Sequence, residues 1–109
     1  RINRWRLAIE VFLNNPSGVG LGNYVPVSKL IEPNDLLISE YPHNLFLELM
    51  SELGFLGVFL SLIIIIKIIK NIKNISLPIY QKQIIIFTML NTMVSGDIMD
   101  ARFLFLFIL

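Results

Sequence analysis

The chain has 109 residues, 55% of them hydrophobic and 16% charged, with a net charge of +1 and a mean hydropathy of +0.72. A soluble domain carries about 25% charged residues, so this chain is short of the side chains a water-facing surface needs. The near-zero charge, with no basic patch interleaved with aromatics, excludes nucleic acid as a partner; the lack of cysteine excludes disulfides, thiol nucleophiles and thiolate metal sites.

The polar deficit is local. Leu62 to Ile66 has no polar side chain, whereas the first half has ordinary polar content, as in a membrane protein with one substantial water-exposed segment. The chain opens Arg1-Ile-Asn-Arg-Trp-Arg6, without an initiator Met or a signal-peptide pattern. It closes on seven apolar residues, Phe103 to Leu109, where a spanning helix needs roughly 20. The expectation is a fragment of a longer protein, ending at the start of a further span over 103–109.

Ile2, Trp5, Ala8, Ile9, Phe12 and Leu13 recur at helical spacing, with Arg1, Asn3, Arg4, Arg6, Glu10 and Asn14 largely opposite. Residues 1–14 therefore form an amphipathic helix for a membrane surface or for neighbouring spans. By itself such a stretch fits a surface helix in any protein. Asn15-Pro16 ends it. From Ser17 to Pro42 no period survives, and Gly18, Gly20, Gly22, Pro26, Pro33 and Pro42 mark a loop. The run Gly18-Val-Gly-Leu-Gly-Asn23 is no nucleotide fingerprint: its third Gly comes at spacing two, a helix precedes it where a strand is needed, and no Lys-Ser/Thr follows. It is expected to be a tight turn where backbone passes close to something.

His43 to Lys73 has no internal Pro and is expected to form one long helix. Asn44, Glu48, Ser51 and Glu52 share one face of its first part, and residues 43–52 stand with 1–42 in a loop region outside the membrane. A span follows over about 53–70, with Lys67 and Lys70 snorkelling and with Gly54 and Gly57 offering close approach to another helix. A second span runs over about 77–95. Lys67, Lys70, Lys73 and Lys82 surround the connection between the spans, and lysine-rich short loops face the cytoplasm. Region 1–52 then faces outside, as do Asp97, Asp100 and Arg102. The expected fold is all-α: a multi-pass transmembrane helix bundle with an external loop and an amphipathic helix.

His43-Asn44, nine residues, then Gly54-Phe-Leu-Gly57 resembles the O-antigen ligase and O-antigen polymerase family. The looser pattern around it fits at Leu47, Glu48, Glu52 and Gly54. Upstream, Arg1, Trp5, Asn15-Pro16 and Gly18-Val-Gly-Leu-Gly-Asn-Tyr24 occur in the family's order. The resemblance covers Arg1 to about Phe59, and more weakly Ser95 to Arg102. It departs at Val58-Phe59, where ligases often carry a Thr pair, and this favours a polymerase; so does the Ile-, Lys- and Asn-rich usage, which points to an AT-rich bacterial source of capsule or exopolysaccharide.

The resemblance implies an inverting glycosyl transfer at the outer face of the bacterial cytoplasmic membrane. A glycan on undecaprenyl diphosphate passes to a sugar hydroxyl, on lipid A core for a ligase or on an acceptor glycan for a polymerase. The implied enzyme uses no nucleotide sugar, metal or cofactor. In this reading the catalytic residues are His43, Arg1 and Glu48, with Arg4, Arg6, Asn44 and Glu52 binding substrate. The chemistry suits them: His is the side chain best tuned to take a proton near neutral pH, and guanidinium groups match diphosphate oxygens bidentately. Without the motif, His43 is more often a helix-entry residue bonded to backbone, and Arg4 and Arg6 serve equally as interfacial arginines on lipid headgroups. Glu48 and Glu52 either face a bundle interior, where charge is costly unless partnered, or stand solvated clear of the bilayer. The alternative function is non-enzymatic, a flippase, transporter or assembly subunit, or else an inactive remnant.

Overall fold

A computed structural model describes residues 2–33, 41–94 and 101–109. Arg1, Asp97 and Asp100, and the expected end of the second span at Ser95, lie outside the described residues. The fold is all-α, as expected. The described residues form six helices in chain order: α1 Ile2–Asn14, α2 Tyr24–Ile31, α3 Leu45–Leu53, α4 Phe55–Lys73, α5 Ile79–Val94 and α6 Arg102–Ile108.

α1 ends ahead of Pro16 as its sequence requires, with Asn15 N bonding back to Val11 O at 3.0 Å. Its buried side is displaced from the expected stripe and shares only Ala8 with it. Leu7, Ala8 and Val11 are buried, whereas Trp5, Ile9 and Leu13 are 37%, 44% and 67% exposed. Apolar residues cover more than half of this helix, and packing against α2 and α3 uses only one side of them, leaving an open row at i, i+4 and i+8.

Two expectations are corrected. The loop from Ser17 to Pro42 contains a helix, α2, whose Pro26 sits in the first turn, where a missing N–H costs nothing. The single helix from His43 to Lys73 is two, α3 and α4, broken at Gly54. Gly54 has φ 63° and ψ −137°, a backbone shape that L side chains rarely adopt. The break lets α4 fold back along α3, so closely that a Cβ on Gly57 would overlap the carbonyl of Leu49. The close approach expected of Gly54 and Gly57 is therefore made within this chain, against α3 and the turn after α1.

α4 has 19 residues, about 28 Å, and is long and apolar enough to cross a membrane. It is the one such helix among the described residues. α5 begins directly after Pro78 and runs over Ile79–Val94, up to the last residue described in that stretch.

Two apolar clusters flank α3. One joins Leu45 and Leu49 to Ile68, Ile85, Leu104 and Ile108 from α4, α5 and α6. The other joins Ala8, Val11 and Tyr24, with Leu47 and Tyr41 packed on it. α3 thus lies between the helices of the first half and those of the second, which places its polar face inside the molecule.

Candidate functional site

The polar face of α3 is enclosed. Asn44, Glu48, Ser51 and Glu52 are exposed by 5% or less, so the solvated reading of the two glutamates does not hold. Each has work to do in the fold. Asn44 is the N-cap of α3: its Oδ1 accepts from Phe46 N at 3.1 Å and Leu47 N at 3.2 Å, as the first-turn donors require. Its Nδ2 donates to Met93 O at 3.2 Å, satisfying a carbonyl in the last turn of α5. Glu48 sits in the first turn of α3, where the helix dipole favours an acid, and Ser51 Oγ donates to its carbonyl at 3.1 Å.

Glu52 is tied to the glycine turn. Its Oε1 accepts from Gly22 N at 3.0 Å, and the backbone N–H of Tyr24 is a further donor to it. Burial nevertheless pushes its carboxyl up from the usual range, outweighing those two bonds. The same turn caps the end of α3. Val19 N donates to Ser51 O at 3.2 Å and Gly20 N to Glu52 O at 2.8 Å, while Pro16 O accepts from Phe55 N at 3.0 Å at the start of α4. Orphan groups at two helix ends are thereby satisfied by one loop. The fit is backbone against backbone: a Cβ on Gly18 would overlap Glu52 and Leu53, and one on Gly54 would overlap Pro16, Ser17 and Gly18. The sequence-based reading of this run as a turn against close backbone is borne out, and the partner is the end of α3.

His43 directly precedes the cap. It is half-buried, follows the buried Pro42, and has φ 52°, the one positive φ of a non-glycine residue among the described residues. His adopts this region more readily than most side chains, yet at a cost of about 1–3 kcal/mol. Three contacts fix the corner it occupies. Trp5 Nε1 donates to Pro42 O at 3.2 Å, so the first turn of α1 is bound to the residue before His43. Tyr24 Oη donates to Arg4 O at 3.4 Å. The Tyr24 ring stacks on Tyr41 with centroids 5.9 Å apart. Tyr24 is 1% exposed, and burial pushes its hydroxyl up to about 12 against the opposing effect of the Arg4 charge.

The structure therefore ties the Arg4 backbone to Tyr24 and Trp5 to Pro42, the residue before His43, with Asn44, Glu48 and Glu52 following along α3. Arg6 is turned elsewhere: its Nη2 meets Glu32 Oε1 at 3.1 Å in an exposed pair, worth about 0–1 kcal/mol. Arg102 starts α6 and lies over the ring of Phe103. Among the described residues no cluster of His, Asp and Glu is arranged to hold a metal. Tyr24, Tyr41 and Trp5 frame the corner and were not singled out as site residues from the sequence. The available signal was the aromatic that closes the glycine run, Gly22-Asn-Tyr24.

A family model described as O-antigen ligase matches residues 1–62, which hold every residue of this corner and of the glycine turn. No curated protein and no solved structure matches the chain.

Proposed function

This chain belongs to the O-antigen ligase family, and we propose on that footing that the protein transfers a lipid-linked glycan, with His43 as the general base. The acceptor sugar hydroxyl gives its proton to the imidazole as its oxygen bonds to the anomeric carbon. The bond from that carbon to the diphosphate breaks on the opposite face, and the lipid diphosphate leaves with inversion. Arg4, on the helix that Trp5 ties to Pro42, and Arg1 stabilise the negative charge gathering on the diphosphate, where fixed cationic donors act most strongly. Glu48, Asn44 and Glu52 serve as positioning residues beneath them. The donor is an undecaprenyl diphosphate glycan, and the acceptor is a second glycan or lipid A core. Lys67, Lys70 and Lys73 at the end of α4 and Lys82 at the start of α5 favour a cytoplasmic position for that connection, and so an outer-face position for residues 1–52 on the cytoplasmic membrane, in a multi-pass bundle.

The observation that carries the reading is the division of labour at residues 43 and 44. Asn44 caps α3, so helix capping does not account for the histidine, and the histidine occupies a backbone shape that glycine would hold at lower cost. Strained backbone of this kind clusters at functional sites.

His43→Gly separates base from scaffold. Glycine holds the φ of 52° without strain and leaves the Asn44 cap of α3 in place. Loss of the base is expected to lower glycan transfer by about 10²–10⁴-fold. The measurement is glycan product in cells, normalised to protein level. Near-normal product would overturn the assignment of His43 and favour a non-enzymatic membrane subunit.

A further inference from the structure

The end of α4 remote from His43 carries chemistry that glycan transfer leaves unused. From Leu53 to Val94 the sequence holds Lys67, Lys70, Lys73 and Lys82, and neither Asp nor Glu. Lys67, Lys70 and Lys73 lie in the last two turns of α4. The ordinary account is that such lysines offset the helix dipole, but that dipole amounts to about half a negative charge, which one lysine already answers.

The lysines also have a place to act together. Lys70 and Lys73 stand at i and i+3, on neighbouring positions of one helix side with Ile66 and Ile69. These four residues, with Asn71 and Asn74, line a groove of about 600 Å³, inside the range of small-molecule sites. Its rim is built. Asn74 Oδ1 accepts from Ser76 N at 3.0 Å and Ser76 Oγ at 2.7 Å, fixing the turn after α4. Asn71 Nδ2 donates to Ile108 O at 3.3 Å, holding the end of α6. Ile66 and Ile69 are about half exposed, and Ile75 just beyond is 96% exposed. The occupant must therefore join a negative head to an apolar body. A zwitterionic head fits less well, because the residues lining the groove include two lysines and no carboxylate side chain to pair its ammonium.

We propose that this groove is a binding site for an anionic phospholipid, with Lys70 and Lys73 on its phosphate and Ile66 and Ile69 against its acyl chains. The site lies beyond the residues given a part in the transfer chemistry, and of that reading it shares only the membrane orientation drawn from the same lysines.

The test follows retention of phosphatidylglycerol by the purified chain in neutral detergent, using native mass spectrometry, with phosphatidylcholine as the neutral comparison. Wild type is expected to retain phosphatidylglycerol in preference to phosphatidylcholine. Each lysine near a lipid phosphate contributes about 5-fold, so Lys70→Gln with Lys73→Gln is expected to weaken retention by about 25-fold. Lys67→Gln with Lys82→Gln removes the same charge outside the groove and is expected to stay near wild type. Arginine at 70 and 73 is expected to restore binding, which separates a site effect from a folding effect. Equal losses in the two glutamine pairs would reduce the effect to bulk charge and overturn the site. Equal retention of phosphatidylcholine would overturn the headgroup. Displacement by inorganic phosphate as readily as by lipid would overturn the lipid as its occupant.

Discussion

In the half of the chain that contains the glycine turn, helices are joined backbone to backbone. Val19, Gly20 and Phe55 each donate across elements to carbonyls of Ser51, Glu52 and Pro16, and Gly18 and Gly54 pass so closely that neither has room for a methyl group. In the half from Ile63 onward, helices meet through aliphatic side chains: Ile68, Ile85, Leu104 and Ile108 fill one cluster, while Ile66, Phe87 and Leu90 remain open on the outside. The family match ends at residue 62, close to where the first kind of packing gives way to the second. Hydrogen-bonded backbone contacts fix positions to fractions of an ångström, because their geometry is narrow. Aliphatic packing tolerates exchanges of similar volume. A site needing a base and a phosphate-binding arginine in register is better held by the first kind.

That contrast can be broken most directly at Gly54. Gly54→Ala adds a methyl group into the backbone of Pro16 to Gly18 at a φ of 63°, and is expected to cost several kcal/mol, the exceptional range for one substitution. Ile63→Val on α4 removes one methyl from a 37% exposed position and is expected to cost about 0.5 kcal/mol, the low end for this exchange. Thermal unfolding in detergent compares them. Similar losses for the two would show that the glycine contact is not the anchor of the first half.

Asn44 is an intermediate case, since it serves both halves. Asn44→Ala is expected to lose about 1 kcal/mol for the cap, and further stability for the Met93 carbonyl left without its donor. Asn44→Asp keeps the cap and removes only the donor, so it should fall between Ala and wild type in unfolding temperature. If Asp matched wild type, the tie to α5 would be energetically silent.

The smallest effect is expected at Glu52, and it depends on pH. Burial raises its carboxyl in the folded chain above 4.5, so the folded state holds the proton more tightly than the unfolded state. The stability this contributes is fully present below about 4.5 and is lost as pH rises through the folded value. Glu52→Gln keeps an oxygen to accept from Gly22 N and removes the titration. The difference in unfolding temperature between wild type and variant should therefore move against wild type between pH 4 and pH 7. A flat difference would mean that Glu52 does not titrate in this window.

Sequence by itself determined the helical class, the end of α1, the long apolar helix and the residues that identify the family. Each of these rests on local signals: a 3.6-residue period, a proline that cannot donate, an unbroken run of aliphatic residues, and fixed spacings between His43, Asn44 and Gly54. Tertiary structure decided where the helix from His43 to Lys73 breaks. A glycine inside an apolar helical pattern is compatible with continuing the helix, whereas in the fold Gly54 turns the chain where the loop at Pro16 to Gly18 packs directly against it. It also decided which side of α1 is buried, since the apolar residues of that helix outnumber those its neighbours cover. The buried glutamates were legible as one face of α3 but not as residues with separate tasks. Glu52 takes its place because Gly22 and Tyr24, some thirty residues earlier, deliver their N–H groups to it, and no period in the sequence records a contact over that separation. The same holds for Tyr24, Tyr41 and Trp5, whose convergence on Pro42 and His43 exists only once α1, α2 and α3 have packed.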